Sequence, residues 1–309
     1  MTASAPASSS TPARSFAIGA QAMDAPALPG GLYLVATPIG NLGDITLRAL
    51  QTLAAADLIA CEDTRITRRL TERYAIAAPL TAYHEHNAET ARPKLMRALA
   101  EGAVVALVSD AGTPLVSDPG FKLVREACAA GHTAIAVPGA SSVLAALCVA
   151  ALPTDRFFFE GFLPPKQVAR QTRAAELARI DATLVVFETG PRIAASLADL
   201  AGAMGAREAA ICRELTKLHE EVRRGPLATL AAEADGLETR GEFVVVIGPP
   251  DADADALSAD DLDALLRTAM ARTTLRDAVA DVTELSGRPR REVYARALEL
   301  SKETGDGET

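Results

Sequence analysis

The chain has 309 residues, 49% of them hydrophobic and 4% aromatic, with no tryptophan. That length and apolar content exclude a disordered chain and allow two packed domains with aliphatic cores. A net charge of −9 excludes a uniformly basic nucleic-acid binder, but six of the negatives (Asp251, Asp253, Asp255, Asp260, Asp261 and Asp263) fall in one stretch, so local basic patches remain possible elsewhere.

Residues 1–29, rich in Ala, Ser and Pro, read as a disordered tail, because they lack the basic start and apolar block of a signal peptide. From residue 30, short apolar runs alternate with helical periodicity, which predicts an α/β fold with a largely parallel sheet. Strands are expected at Leu32–Ala36, Leu58–Cys61, Leu80–Tyr83, Val104–Val108 and Thr133–Val137. A helix is expected over Asp44–Ala56, with Leu47, Leu50 and Leu53 on one face and Asp44 as its N-cap. A boundary near Leu152-Pro153-Thr154-Asp155 divides a first α/β domain (30–152) from a second (153–248). The second should carry strands at Phe157–Phe162, Thr183–Phe187, Ala209–Arg213 and Phe243–Ile247. Two prolines and alternating Asp-Ala mark 249–260 as an acidic linker, and 261–309 as a helical extension. One helix there carries Leu275, Val279, Val282 and Leu285 on its apolar face and stops at Gly287; Arg288-Pro289-Arg290-Arg291 then opens the next.

Cys61, Cys128, Cys148 and Cys212 sit in apolar stretches without a Cys-x-x-Cys pair, which predicts buried thiols in a reducing compartment. The longest apolar run, Val143 to Leu152, is well short of the roughly 20 residues that span a bilayer. A cytoplasmic protein is the expectation.

In open α/β sheets ligands bind at the carboxyl ends of strands. Three loops of unusual composition fall there. Thr37-Pro38-Ile39-Gly40-Asn41-Leu42-Gly43-Asp44 lets the backbone approach a ligand, but its spacing is not a dinucleotide fingerprint, and a plain structural turn fits it equally well. The twelve residues Ser109 to Gly120, with two Pro, two Gly and two Asp, are too long to serve only as a connection. Pro138-Gly139-Ala140-Ser141-Ser142 opens an Ala-rich helix, where a serine serves as N-cap or meets a carboxylate. No Walker lysine-serine pair and no Gly-x-Ser-x-Gly occurs. His84 and His86 share one face of a strand, but no third ligand accompanies them and no metal is expected.

Five motifs in this order (the Thr37–Asp44 loop, Glu62-Asp63-Thr64-Arg65, His84-Glu85-His86-Asn87, the Asp110 loop and Arg213-Glu214-Leu215-Thr216-Lys217) closely resemble the ribosomal RNA small subunit methyltransferase I family. The resemblance runs from about Gly31 to Leu300. It implies a two-domain tetrapyrrole-methylase-like (class III) methyltransferase with a C-terminal helical extension, commonly a homodimer. The implied cofactor is S-adenosylmethionine, and the implied reaction is 2′-O-methylation of a decoding-site cytidine of 16S rRNA in the assembled 30S subunit. By similarity the donor contacts fall on Pro38, Ile39 and Gly40, on Asp110, Gly112 and Thr113, and on Ser141 and Ser142. Relatives that methylate tetrapyrroles have a glycine-richer first loop, so Pro38-Ile39 and Asn41-Leu42 weaken a siroheme or corrin reading. A non-catalytic ribosome-assembly factor that uses the pocket as a sensor is the other rival.

Methyl transfer from a sulfonium is an in-line displacement that depends on alignment, helped by a base or hydrogen-bond acceptor for the ribose hydroxyl. Glu188, Glu214 and Lys217 are the polar candidates; a Glu214–Lys217 surface pair accounts for the last two equally well. For RNA contact, Arg65, Arg68 and Arg69 are spaced to share a helix face, and Arg288, Arg290 and Arg291 cluster at the last helix, with a solvated face as the alternative.

Overall fold

The computed structural model describes residues 14–117, 120–205, 207–250, 259–286 and 288–305. The hairpin β1 (Ser15–Ile18) and β2 (Gln21–Asp24) comes first. It overturns the expected tail over residues 14–29; residues 1–13 of that tail lie outside the described part. Phe16 is the reason. Its ring is buried with Tyr33, Leu50 and Tyr74, and Ala17 donates its amide to the Tyr74 carbonyl at 2.7 Å. One aromatic side chain suffices to pin a segment whose composition otherwise reads as disordered.

Five strands form the first sheet: β3 (Gly31–Val35), β4 (Leu58–Cys61), β5 (Leu80–Ala82), β6 (Val104–Val108) and β7 (Ala134–Val137). Their order is β5-β4-β6-β3-β7 and every pairing is parallel. All five residues of β6 are buried, which is why it reads as an unbroken apolar run rather than an alternating one. The helices α1 (Leu47–Ala55), α2 (Thr64–Arg73), α3 (Ala88–Ala100), α4 (Phe121–Ala129) and α5 (Ser142–Ala150) fill the crossovers. Asp44 is not the cap of α1. It lies in a 3-10 turn, Leu42–Asp44, and Thr46 caps the helix by accepting the Ala49 amide at 3.1 Å. Strand β5 also ends at Ala82, so His84 and His86 sit in the following turn rather than on a strand face; Asn87 Oδ1 accepts the His84 amide there. Among the described residues no group of three or more His, Cys, Asp or Glu is placed to hold a metal ion.

The second sheet contains β8 (Phe157–Phe162), β9 (Thr183–Thr189), β10 (Glu208–Arg213), β11 (Glu221–Pro226) and β12 (Glu242–Ile247), in the order β11-β10-β12-β9-β8. Only β8 and β9 pair in parallel; the rest is antiparallel. Helices α6 (Gln167–Leu177), α7 (Gly190–Met204) and α8 (Leu227–Ala232) cover one face. The other face receives α5: Val143, Ala146, Leu147 and Ala150 pack with Val185, Ala210, Cys212 and Val246. A helix that follows the first sheet therefore seals the second, and the carboxyl ends of β3 and β9 converge beside it.

Helices α9 (Ala259–Met270), α10 (Leu275–Ser286) and α11 (Arg290–Gly305) bury Leu262, Leu266, Val279, Val282, Val293 and Ala297 together. Arg296 holds Asp263 through two hydrogen bonds, at 2.7 and 2.6 Å. Leu285, expected on the apolar face, is instead 72% exposed, and Arg288 precedes α11 rather than sitting in its first turn. The Gly287 stop and residues 251–258 of the expected linker lie outside the described residues. Cys61 and Cys212 are buried, whereas Cys128 and Cys148, expected inside, lie on the outer sides of α4 and α5 and are exposed. Among the described residues no helix is long and apolar enough to cross a membrane.

Candidate active-site cleft

The three sequence-marked loops meet at the carboxyl end of the first sheet and are tied by their own backbone. Thr37 and Gly112 exchange both amide–carbonyl hydrogen bonds (2.9 and 3.1 Å), and Thr37 Oγ1 donates to the Ser109 carbonyl at 3.2 Å. Thr113 Oγ1 donates to the Ala140 carbonyl of the third loop, also at 3.2 Å. Gly112 has φ +77°, and a Cβ there would lie 3.3 Å from Ile39 Cγ2, so the position requires glycine. Ser141 caps α5 by accepting the Leu144 amide at 3.4 Å, and with Ser142 and Val143 it puts the N-terminal end of that helix, which favours an anionic group, on the cavity lining.

The facing wall comes from the second sheet. Phe187, Glu188 and Thr189 at the end of β9 join Cys212, Leu215 and the start of β12. Phe162 and Phe187 stack edge to face, with centroids 5.6 Å apart. Between the walls lies a cavity of about 290 Å³. Residues Leu115 (φ +75°) and Ser117 (φ +59°) of the second loop, and Glu214 (φ +50°) and Thr216 (φ +67°) opposite, are held in left-handed backbone that costs side-chain-bearing residues energy. Such strain on both sides of one cavity accords with a site rather than a simple connection.

Of the residues marked by sequence, Ile39, Asp110, Gly112, Thr113, Ser141, Ser142 and Glu188 line the cavity. Pro38 and Gly40 are outside the lining. Gly40 (φ +149°) instead lies under Lys217, whose Cγ would sit 2.4 Å from a Cβ at this position. Asp110 Oδ1 accepts the Asp63 amide at 2.9 Å, linking the second motif to the second loop. Burial pushes the Asp110 carboxyl above its ordinary range, and burial with the Asp110 charge does the same to Glu62. The Arg65 side chain and amide hydrogen-bond Asp63 and pull it down to about 2.

The expected catalytic candidates are each held in hydrogen bonds and ion pairs. Glu188 is buried; Oε1 accepts the Thr189 amide (2.8 Å) and Oε2 accepts Ser196 Oγ (2.6 Å), with Arg192 at 3.2 Å. Lys217 Nζ donates to Glu214 (2.8 Å) and Glu242 (2.9 Å). Burial alone would lower the Lys217 pKa, but those two carboxylates outweigh it and raise it, so the amine stays protonated near neutrality. Arg65, Arg68 and Arg69 lie exposed on α2, Arg65 paired with Asp63 at 2.5 Å, while Arg290 and Arg291 are exposed at the start of α11. Sequence reading missed Phe162, Phe187, Cys212 and Leu215, which look like ordinary core positions until the second sheet is assembled against the first.

Two dissimilar sheets with a loop-lined cleft between them accord with a methylase of the tetrapyrrole class, and the family match bears this out. Residues 31–231 match the model of the Tetrapyrrole (Corrin/Porphyrin) Methylases, and 251–301 match the RsmI C-terminal HTH domain. The fold is shared with a cobalt precorrin-4 methyltransferase (TM-score 0.52, 18% identity, 70% of this chain and 94% of that one) and a diphthine synthase (TM-score 0.55, 19% identity, 70% and 89%). The chain belongs to the ribosomal RNA small subunit methyltransferase I family. It is 50% identical over 293 residues to the member from Mesorhizobium japonicum, covering 94% of this chain and 99% of that one. The Pseudomonas aeruginosa member is 43% identical over 280 residues, covering 87% and 97%.

The methyl donor of this family is S-adenosylmethionine. The cleft suits it: a glycine cradle at Gly112, the hydroxyls of Thr113, Ser141 and Ser142, the Asp110 carboxylate and the aromatic pair offer polar and apolar surface side by side.

Proposed function

We propose that this chain transfers a methyl group from S-adenosylmethionine to the ribose 2′-hydroxyl of a decoding-site cytidine in 16S rRNA, acting in the cytoplasm as a homodimer on the assembled 30S subunit. The observation that carries this reading is 50% identity along 94% of the chain to a relative named as a small-subunit rRNA methyltransferase. The match to the terminal helical domain favours it over a tetrapyrrole substrate, which would not need that module.

Bound S-adenosylmethionine supplies an electrophilic methyl group on a sulfonium. The chain's residues bind and orient. The backbone-tied loops, with Ile39, Asp110, Gly112, Thr113, Ser141 and Ser142, hold the donor, with Pro38 and Gly40 shaping the first loop behind them. Phe162 and Phe187 would give the donor an apolar surface on the facing wall. Glu188, Glu214 and Lys217, already ion-paired, act by fixing the facing wall rather than by taking the ribose proton. Arg65, Arg68, Arg69, Arg288, Arg290 and Arg291 supply local cations for phosphate, which a chain of net charge −9 needs in place of a general basic field.

Radiolabelled donor mixed with small subunits from a strain lacking this enzyme tests the proposal. Label should enter one ribose of the subunit RNA, and protein-free transcript should be modified far more slowly. Replacing Arg288, Arg290 and Arg291 with Ala should raise the KM for subunits and flatten its salt dependence, with donor affinity intact. No incorporation by the wild-type chain would overturn the reading.

A further inference from the structure

The donor cleft is lined by three carboxylates, Asp110, Glu188 and Glu242, and by no Lys, Arg or His among the described residues. A ribose 2′-hydroxyl is vicinal to its own 3′-phosphodiester. A strand that offers this hydroxyl to the cleft therefore brings phosphate to a lining that supplies it no cation, and Lys217 beside it is already held by Glu214 and Glu242. Cations must come from beside the cleft.

A second cavity opens at the same end of the second sheet, lined by Arg213, Glu214, His219, Glu238, Arg240 and Gly241. Neighbours in sequence divide between the two sites: Cys212, Leu215 and Glu242 line the donor cleft, whereas Arg213, Glu214 and Gly241 line the second cavity. The Arg213 side chain is only 11% exposed, with Nε anchored on the Arg240 carbonyl at 2.9 Å. Its Nη1 lies a loose 3.9 Å from Glu221, which is itself held by Arg223 at 2.6 Å. Arg240 is 92% exposed and 4.0 Å from Glu238, and His219 is exposed at the rim. The facing carboxylates already accept from protein donors: Glu214 from Lys217 (2.8 Å) and the Glu242 amide (3.0 Å), Glu238 from the Arg240 amide (3.1 Å). An oriented, nearly buried guanidinium whose Nη1 is only loosely paired, flanked by the exposed Arg240 guanidinium and His219 imidazole, presents the donors a phosphate takes.

We propose that this second cavity is a phosphodiester subsite for the RNA strand flanking the target ribose, with Arg213 as the fixed contact and Arg240 and His219 closing on it. The proposal rests on the RNA reading above. Its test uses the full chain, small subunits from a strain lacking the enzyme, and calorimetric binding of S-adenosylmethionine. Arg213→Gln combined with Arg240→Ala should raise the KM for subunits at least tenfold. It should also reduce the slope of log KM against log salt by about 0.7 for each phosphate no longer neutralised. The donor Kd should stay within twofold. Unchanged KM and salt slope in the folded double variant would overturn the subsite, as would an equal loss of donor affinity. If Arg213→Gln fails to fold, the exposed pair Arg240→Ala and His219→Ala must still raise KM about threefold, and a wild-type KM there overturns the proposal as well. Wild-type activity on subunits with indifferent variants defeats only this subsite, whereas an inactive wild type defeats the RNA reading itself.

Discussion

The two walls of the cleft are built on different physical terms. On the first, loops at the end of an all-parallel sheet are joined by backbone hydrogen bonds, Thr37 to Gly112 above all, and carry short side chains. On the second, the end of a mostly antiparallel sheet presents long side chains locked in ion pairs: Glu188 with Arg192, and Lys217 with Glu214 and Glu242. A wall of backbone is rigid because each group has one obligatory partner and little side-chain entropy to lose. A wall of ion pairs holds shape only while every charge keeps its counter-charge. Substitutions on the first wall should therefore cost affinity, and those on the second should cost stability.

Glu188 gives the largest effect. Glu188→Ala leaves Arg192, Ser196 Oγ and the Thr189 amide without the acceptor they share. Removing one partner of a buried pair costs on the order of 3 kcal/mol, and denaturant titration should show that loss, with donor affinity in the surviving folded protein little changed. Glu188→Gln, which keeps the shape and one acceptor, should recover much of it. If Glu188→Ala instead keeps its stability and loses turnover at saturating donor, the residue works on the reaction and the division between the walls fails.

The same division explains what the sequence revealed. The first wall was legible because its requirements are compositional: glycine where φ is positive, hydroxyls at a helix start, prolines in a long loop. Nine strands were also legible as apolar runs. The hairpin β1–β2 and strand β11 were not, the one resting on the single ring of Phe16 and the other, Glu221-Val222-Arg223-Arg224-Gly225-Pro226, lacking an apolar face. The second wall was illegible in its roles. Glu188 and Lys217 were visible as polar residues, but whether a carboxylate is free or spent depends on Ser196, Arg192 and Glu242, which only the assembled sheet brings near.

Gly112 tests the first wall with an effect of intermediate size. Gly112→Ala forces an L-residue into left-handed backbone, at about 1–2 kcal/mol, and crowds Ile39. Relaxation of the loop should weaken S-adenosylmethionine binding about tenfold, corresponding to roughly 1.4 kcal/mol, while the melting temperature moves less than in Glu188→Ala. Affinity within a factor of two of wild type, measured by calorimetry, would show that the backbone bridge does not shape the donor site.

Lys217 gives the smallest effect and the sharpest sign. Lys217→Met keeps the aliphatic stem over Gly40 and removes only the ammonium of a side chain that is 28% exposed, so the loss at neutral pH should stay below about 1 kcal/mol. The folded-state pKa of Lys217 lies above its ordinary value of 10.5, because hydrogen bonds and charges from Glu214 and Glu242 overcome the effect of burial. Stabilisation by a raised lysine is complete below its unfolded value and disappears as pH climbs through the folded one. At the acid end Glu214 sets the limit: burial raises its pKa, but the Lys217 bond, the Glu242 amide and nearby charges bring it below 4.5. Its share is present above the unfolded value and fades as pH falls through the depressed one. The stability gap between wild type and Lys217→Met should thus be flat from about pH 5 to 10 and close at both extremes. Turnover at saturating donor should show no limb that Lys217→Met abolishes. A rising alkaline limb in wild type, absent from the variant, would mean that Lys217 gives up its proton in the reaction, and the second wall would then be chemical as well as structural.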